Sequence, residues 1–338
     1  MSHPPQARLF GAALDYLDDA ERVGLKLAYT KALADDVLPP GLPLDPYDAV
    51  APLVRSIMNG RTALDGKIDI PGWLTPRPGP DDASLIVPSR YRDFMDAGGA
   101  LVTARSCAKA ASGCLPDVPV MIAVDHCLSA GPISALSSLH GADSLAVVVL
   151  DSHFDAVPPE VRIGESCDWG GGHCGDFLAY LMEDGIISPE RLFVVGAGDR
   201  PDKTDDAGEF GRLYHAWIDK GVKVYNRSEC REDAFPDRLA KDIESSGARH
   251  LYVSLDADVG SCASMNAVRF LDGVGLSEEI ILNIGRALGS LCAAGRLELA
   301  GADVCEIDVH LLGLLDQNGR EDRTAQICAG FLASLFGA

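Results

Sequence analysis

Apolar runs rich in β-branched residues recur along the chain, separated by stretches of mixed polarity. Val118–Val124 (VPVMIAV), Ser144–Leu150, Arg191–Val195, Val222–Tyr225, His250–Leu255 and Leu299–Cys305 read as strands. Most are nearly unbroken in apolar residues, as strands covered on both faces are. Between them Ala130–His140, Gly175–Asp184, Ala207–Lys220, Ala234–Ser246, Ser277–Ala294 and Arg323–Phe336 read as helices. Ser277 supplies an N-cap, with Glu278 and Glu279 in the first turn behind it. This alternation predicts an α/β fold of three layers, with helices on both faces of a mostly parallel central sheet. Residues 39–82 break the pattern with Pro39, Pro40, Pro43, Pro71, Pro76, Pro78 and Pro80. They read as a long surface excursion within a single domain spanning 1–338.

The net charge of −21 argues against nucleic acid and against anionic membrane surfaces as partners, since both select a basic face. Solubility accounts for the acidity as well as any acidic site does. No apolar run approaches the roughly 18–20 residues that span a bilayer. Asp15, Asp18, Asp19 and Glu21 would interrupt any secretion-signal core. There are ten cysteines, but no C-x-x-C pair. They are expected to be reduced thiols, buried or near the site, in a cytoplasmic protein.

The chemistry gathers where strands end. Asp151-Ser152-His153-Phe154-Asp155 follows one apolar run, Ser254-Leu255-Asp256-Ala257-Asp258 closes a second, and Asp125-His126 follows a third. Alternate residues of an extended chain share a face, so Asp151, His153 and Asp155 can converge. Open α/β sheets build their sites at the carboxyl ends of strands. A lone D-x-D at such a place is ordinarily a solvated turn or a helix cap. Three clusters together, offering two histidines and four aspartates with Asp125 set aside, fit a pair of divalent cations, and mixed oxygen and nitrogen ligation suits Mn²⁺.

These motifs resemble those of the ureohydrolases: arginase, agmatinase, guanidinobutyrase and formimidoylglutamase. Further stretches carry the same resemblance. They are Leu9–Asp15 as a first strand, His173-Cys174-Gly175-Asp176-Phe177, Glu183–Arg191, Gly301–Glu306 and Arg323-Thr324-Ala325. The resemblance implies an arginase-like fold and two Mn²⁺ per chain. One ion would be held by His126, Asp151, Asp155 and Asp256, the other by Asp151, His153, Asp256 and Asp258, with Asp151 and Asp256 bridging. It also implies that Glu306 pairs with a planar substrate guanidinium and that His173 shuttles protons. A small guanidino or amidino substrate and a trimeric or hexameric assembly follow from it too.

The chain departs from the family pattern in places. Ala123-Val124 stand where the family has two glycines, Cys127 replaces a serine, and Val259-Gly260 follow Asp258 in place of Asp-Pro. Val157, followed by Pro158 and Pro159, stands where the arginase branch carries an asparagine that binds the substrate α-carboxylate. Free arginine is therefore expected to be a poor substrate. Arg162 is a candidate replacement donor, and Asp199 matches a position that recognises a substrate amine. Phe154 resembles the formimino-hydrolase branch, an alternative activity, whereas His173 resembles the guanidino-hydrolysing ones. A metal-stabilised relative without catalysis is the remaining alternative. Gly170–Gly172 lack the Lys-Ser/Thr of a phosphate loop, and Pro201 spoils a dinucleotide reading of Gly196-Ala197-Gly198.

Overall fold

The structure, a computed structural model, describes residues 6–17, 19–157, 161, 173–198, 201, 208–271, 273–315 and 319–338. Eight strands form one sheet: β1 (Ala7–Ala12), β2 (Thr62–Lys67), β3 (Val118–Ala123), β4 (Leu145–Leu150), β5 (Leu192–Ala197), β6 (Lys223–Asn226), β7 (His250–Asp256) and β8 (Glu298–Cys305). Their order is β2-β1-β3-β8-β7-β4-β5-β6, and every neighbouring pair is parallel.

The unbroken apolar runs have the cause read from them. Ala146, Val148 and Leu150 of β4 face a core shared with Val50, Val54, Ile284, Leu288 and Phe331. Leu145, Val147 and Val149 face the opposite core, with Cys107, Ile133, Phe177 and Leu181. Helices therefore cover both faces. Those expected after β3 end within a residue or two of their predicted limits, as in Phe235–Ser245, Glu278–Ala293 and Thr324–Leu335. Ser277 accepts the Ile280 N–H as the expected cap.

The stretch 39–82 differs from its expectation. It holds a helix, Pro46–Ile57, whose Val50, Ala51 and Val54 are buried, and the edge strand β2, which pairs with β1. Pro46 stands in the first turn of that helix, where no N–H partner is lost. Every cysteine among the described residues is a free thiol. No helix among them is long and apolar enough to cross a membrane.

Strands β3 and β4 are consecutive in the central part of the chain, yet β8 and β7 lie between them. The order of connection across the sheet reverses at these four strands, and it is at the carboxyl ends of strands around such a reversal that open α/β sheets build their sites. The register pairs Leu150 with Leu255 and Asp256 with Cys305, so Asp151 emerges abreast of Asp256. Gly196, at the end of β5, has φ +100°, and a Cβ there would fall 2.5 Å from Val259 and 3.2 Å from the Asp151 carbonyl. Its glycine serves close packing beside the site, not a nucleotide.

Candidate metal centre

All six expected ligands come together at these strand ends. Nδ1 of His126 lies 3.2 Å from Asp151 Oδ2, 3.3 Å from Asp155 Oδ2 and 3.0 Å from Asp256 Oδ2. Nδ1 of His153 lies 2.9 Å from Asp258 Oδ2 and 3.5 Å from Asp151 Oδ1. The ligand atoms fall into two groups, His126–Asp151–Asp155–Asp256 and Asp151–His153–Asp258. Asp151 belongs to both and turns one oxygen toward each histidine. Asp256 belongs to the first group, while its Oδ1 accepts the Asp258 N–H at 2.8 Å. Five of the six residues are buried; the His153 side chain alone keeps some exposure, 17%.

The hydrogen bonds around His126 test whether a cation belongs here. Ser254 Oγ donates to Asp303 Oδ1 at 2.6 Å, so toward His126 it can only accept. Nε2 of His126, 3.0 Å away, therefore carries a proton, and in the neutral ring Nδ1 presents a bare lone pair to three carboxylate oxygens. Nδ1 of His126, Oδ2 of Asp151 and Oδ2 of Asp258 are all buried without a hydrogen-bond partner. Lone pairs facing one another in a dry pocket repel, and a buried unpaired polar atom is costly. A divalent cation between them resolves both problems, and the donor set of carboxylate oxygens and imidazole nitrogens suits Mn²⁺. Burial and repulsion from Asp258 and Asp151 push the Asp256 carboxyl well above the usual carboxylate range.

His173 places Nδ1 2.9 Å from the Gly175 N–H, which donates to it. A neutral ring there carries its proton on Nε2. Its neighbour Cys174, buried, groups with Asp125 and Glu306. Burial and the Asp125 carboxylate raise that thiol well above its usual value, so it remains protonated. Phe154 packs edge-on against Tyr214, with ring centroids 5.1 Å apart, in the core. Val157 is fully buried. Asp199 and Arg162 lie outside the described residues.

Glu306 has a partner that the sequence did not reveal. Arg269 Nη1 donates to both carboxylate oxygens, at 3.1 and 3.0 Å, and to Asp125 Oδ2 at 2.9 Å. Arg269 Nη2 donates to Asp15 Oδ1 at 3.3 Å, and the His126 N–H donates to Glu306 Oε1 at 2.9 Å. The acceptor expected for a substrate guanidinium is thus filled by a guanidinium of the chain itself. Burial pushes the Glu306 carboxyl upward, and the Arg269 guanidinium beside it pulls the other way. Burial opposes charge on Arg269 as well, but Glu306, Asp125 and Asp15 outweigh it and keep the guanidinium charged. Asp303, buried in β8, also accepts from Tyr252 Oη. Arg269 sits in a run, SMNAVRFLDG, with no periodicity or motif to mark it. Asp15 and Asp303 lay inside recognisable segments, but as single acids without a stated role.

Several solved structures share this architecture. Arginase from Bacillus subtilis superposes with a TM-score of 0.63 at 16% identity, covering 98% of this chain and 99% of that one. Formimidoylglutamase from Bacillus subtilis gives 0.61 at 14%, covering 100% and 88%. A hypothetical agmatinase from Burkholderia thailandensis gives 0.60 at 20%, covering 98% and 85%. At these identities the likeness is one of fold. No curated protein sequence matches the chain. The sequence profile of the arginase family does match, over residues 91–337, a span that includes all three strand-end clusters, and on that ground the chain belongs to the arginase family.

Proposed function

We propose that the chain is a dinuclear manganese hydrolase that cleaves a linear amidino-type C–N bond in a small substrate other than free arginine. The observation that carries this reading is the pair of buried His/Asp groups sharing Asp151. His126, Asp151, Asp155 and Asp256 would hold one ion. Asp151, His153 and Asp258 would hold the other, with Asp256 as a second bridge. When bound, two such cations supply Lewis acidity that acidifies water and offsets charge building at the attacked carbon.

The chain's own residues do the rest. Asp151 fixes the spacing of the two groups by turning one oxygen to each. Ser254 and Asp303 hold the His126 ring in the tautomer that leaves Nδ1 free for a cation. His173 is read as the proton shuttle: it would protonate the departing amine as imidazolium, which requires Nδ1 to give up the Gly175 N–H and take a proton. The Cys174 thiol, kept protonated, takes no nucleophilic part.

Two substrate classes compete. A guanidino compound would release urea. A formimino compound would release formamide, and the pairing of Glu306 with Arg269 favours this second reading. Phe154 does not bear on the choice, since it faces the core. The buried Val157 offers no donor to an α-carboxylate, so arginine is expected to lag in either case. The test compares kcat/KM for arginine, agmatine, guanidinobutyrate and formiminoglutamate with Mn²⁺-loaded protein, following urea and formamide release. Arginine as the best of the four, or release from none, contradicts the proposal. Arg162 and Asp199 remain candidates for holding the far end of the substrate, and a homo-oligomer remains the expected assembly.

A further inference from the structure

The segment between β7 and the helix Glu278–Ala293 delivers Arg269 into a pocket built for a planar cation. Asp15, Asp125 and Glu306, from the ends of three different strands, converge on its guanidinium, whose side chain is 1% exposed. Its Nη1 also donates to the Val124 carbonyl at 3.3 Å. The segment is pinned around it. The Arg269 N–H donates to the Glu306 carbonyl at 3.0 Å, and the Glu306 N–H donates to the Val124 carbonyl at 2.9 Å. Arg22 Nη2 donates to the Arg269 carbonyl at 2.5 Å, while its Nη1 bonds Asp308. Glu306 itself holds φ at +60°, a conformation that a non-glycine residue keeps only where its surroundings enforce it. The pocket adjoins the metal-binding groups through the His126 backbone N–H, which shares Glu306 Oε1 with Arg269.

We propose that Arg269 is the specificity-determining residue of this site: as a resident guanidinium it fills the acidic pocket of Asp15, Asp125 and Glu306, and so selects formimino-type amidines over guanidines. This rests on reading the site as a hydrolase of linear amidino-type C–N bonds. The two classes differ at the central carbon. A guanidine carries a third nitrogen whose N–H groups need an acceptor, and Glu306, already taking two bonds from Arg269 and one from the His126 N–H, cannot offer both oxygens to the paired N–H groups of a second guanidinium. A formimino group carries hydrogen there and leaves nothing unsatisfied. Burying N–H donors without a partner costs binding that the smaller group does not lose. Arg269 stays in place because three carboxylates left together without it would repel one another in a dry pocket.

The test opens the pocket and asks whether guanidinium ion enters it. Arg269→Ala removes the resident cation and leaves a guanidinium-shaped space; Arg269→Gln keeps more of the packing stem and is used if the alanine variant fails to fold. Guanidinium chloride at low millimolar concentration, far below denaturing levels, is compared with equal sodium chloride by thermal unfolding. Either variant should gain melting temperature with guanidinium, and the wild type should not. The ratio of kcat/KM for formiminoglutamate to that for agmatine should fall by about 10–100-fold in the variant, the worth of a hydrogen bond to a charged group. Variants whose melting temperature ignores guanidinium overturn the proposal. So does a wild-type protein that guanidinium stabilises or competitively inhibits, a measurement needing no variant. The melting arm requires no turnover, so a protein that hydrolyses none of these substrates but shows the expected shifts would defeat the enzymatic reading and leave the resident guanidinium standing.

Discussion

His126 has one ring nitrogen for a cation and one for the protein, and Asp303 settles which is which. Its carboxylate takes the Ser254 proton, Ser254 then accepts from Nε2, and Nδ1 is turned to the carboxylates of Asp151, Asp155 and Asp256. Tyr252 Oη completes the line by donating to the other Asp303 oxygen. Asp303→Asn keeps the shape but weakens the acceptor, so Mn²⁺ affinity should fall by about 10–100-fold, the usual cost of losing a partner behind a metal-binding histidine. Titration of the metal-free protein with Mn²⁺ checks this, and unchanged affinity would show that the tautomer is set elsewhere. Residues that touch a cation announce themselves by type and spacing, as D-x-H-x-D does. Residues that orient them carry no such mark, because an aspartate within a strand or an arginine within a loop is ordinary until its neighbours are known. Arg269 and Asp303 were invisible for that reason.

At the scale of elements, legibility followed burial. Strands β3, β4, β5 and β7 are apolar on both faces because helices cover both, so their sequences alone marked them. Strand β2, TALDGK, lies at the sheet edge with mostly half-buried or exposed side chains, and its polar residues left no apolar run to read. The helix before it was hidden by prolines, although Pro46 opens that helix and Pro52 lies inside it. Asp45 ties the two together. Its Oδ1 accepts the Tyr47 and Asp48 N–H groups at 3.0 and 3.3 Å, and its Oδ2 lies 2.7 Å from Lys67 Nζ of β2. Replacing such a cap with alanine typically costs about 0.5–2 kcal/mol. Asp45→Ala should lower the unfolding free energy by that amount, read as a lower urea midpoint at unchanged slope, without altering metal content; an unshifted midpoint would mean that the edge unit folds independently of its cap.

Across the whole molecule, the sheet order brings the three separated strand-end clusters to one place, which is why the site is legible from those clusters in the sequence. Which ligand belongs to which group came only from the family resemblance and not from spacing, since it depends on the register Leu150↔Leu255 and on which oxygen of Asp151 faces which ring. Four carboxylates, Asp151, Asp155, Asp256 and Asp258, crowd this one centre, and cations that bind only the folded chain must stabilise it. Metal content per chain after Mn²⁺ loading and removal of free metal is the most direct measurement. The account predicts two ions in the wild type, loss of both in Asp151→Asn because each oxygen of Asp151 serves a different group, and a weakened single site in His126→Asn. A wild-type protein that holds one ion or none, or an Asp151→Asn variant that retains two, would contradict it.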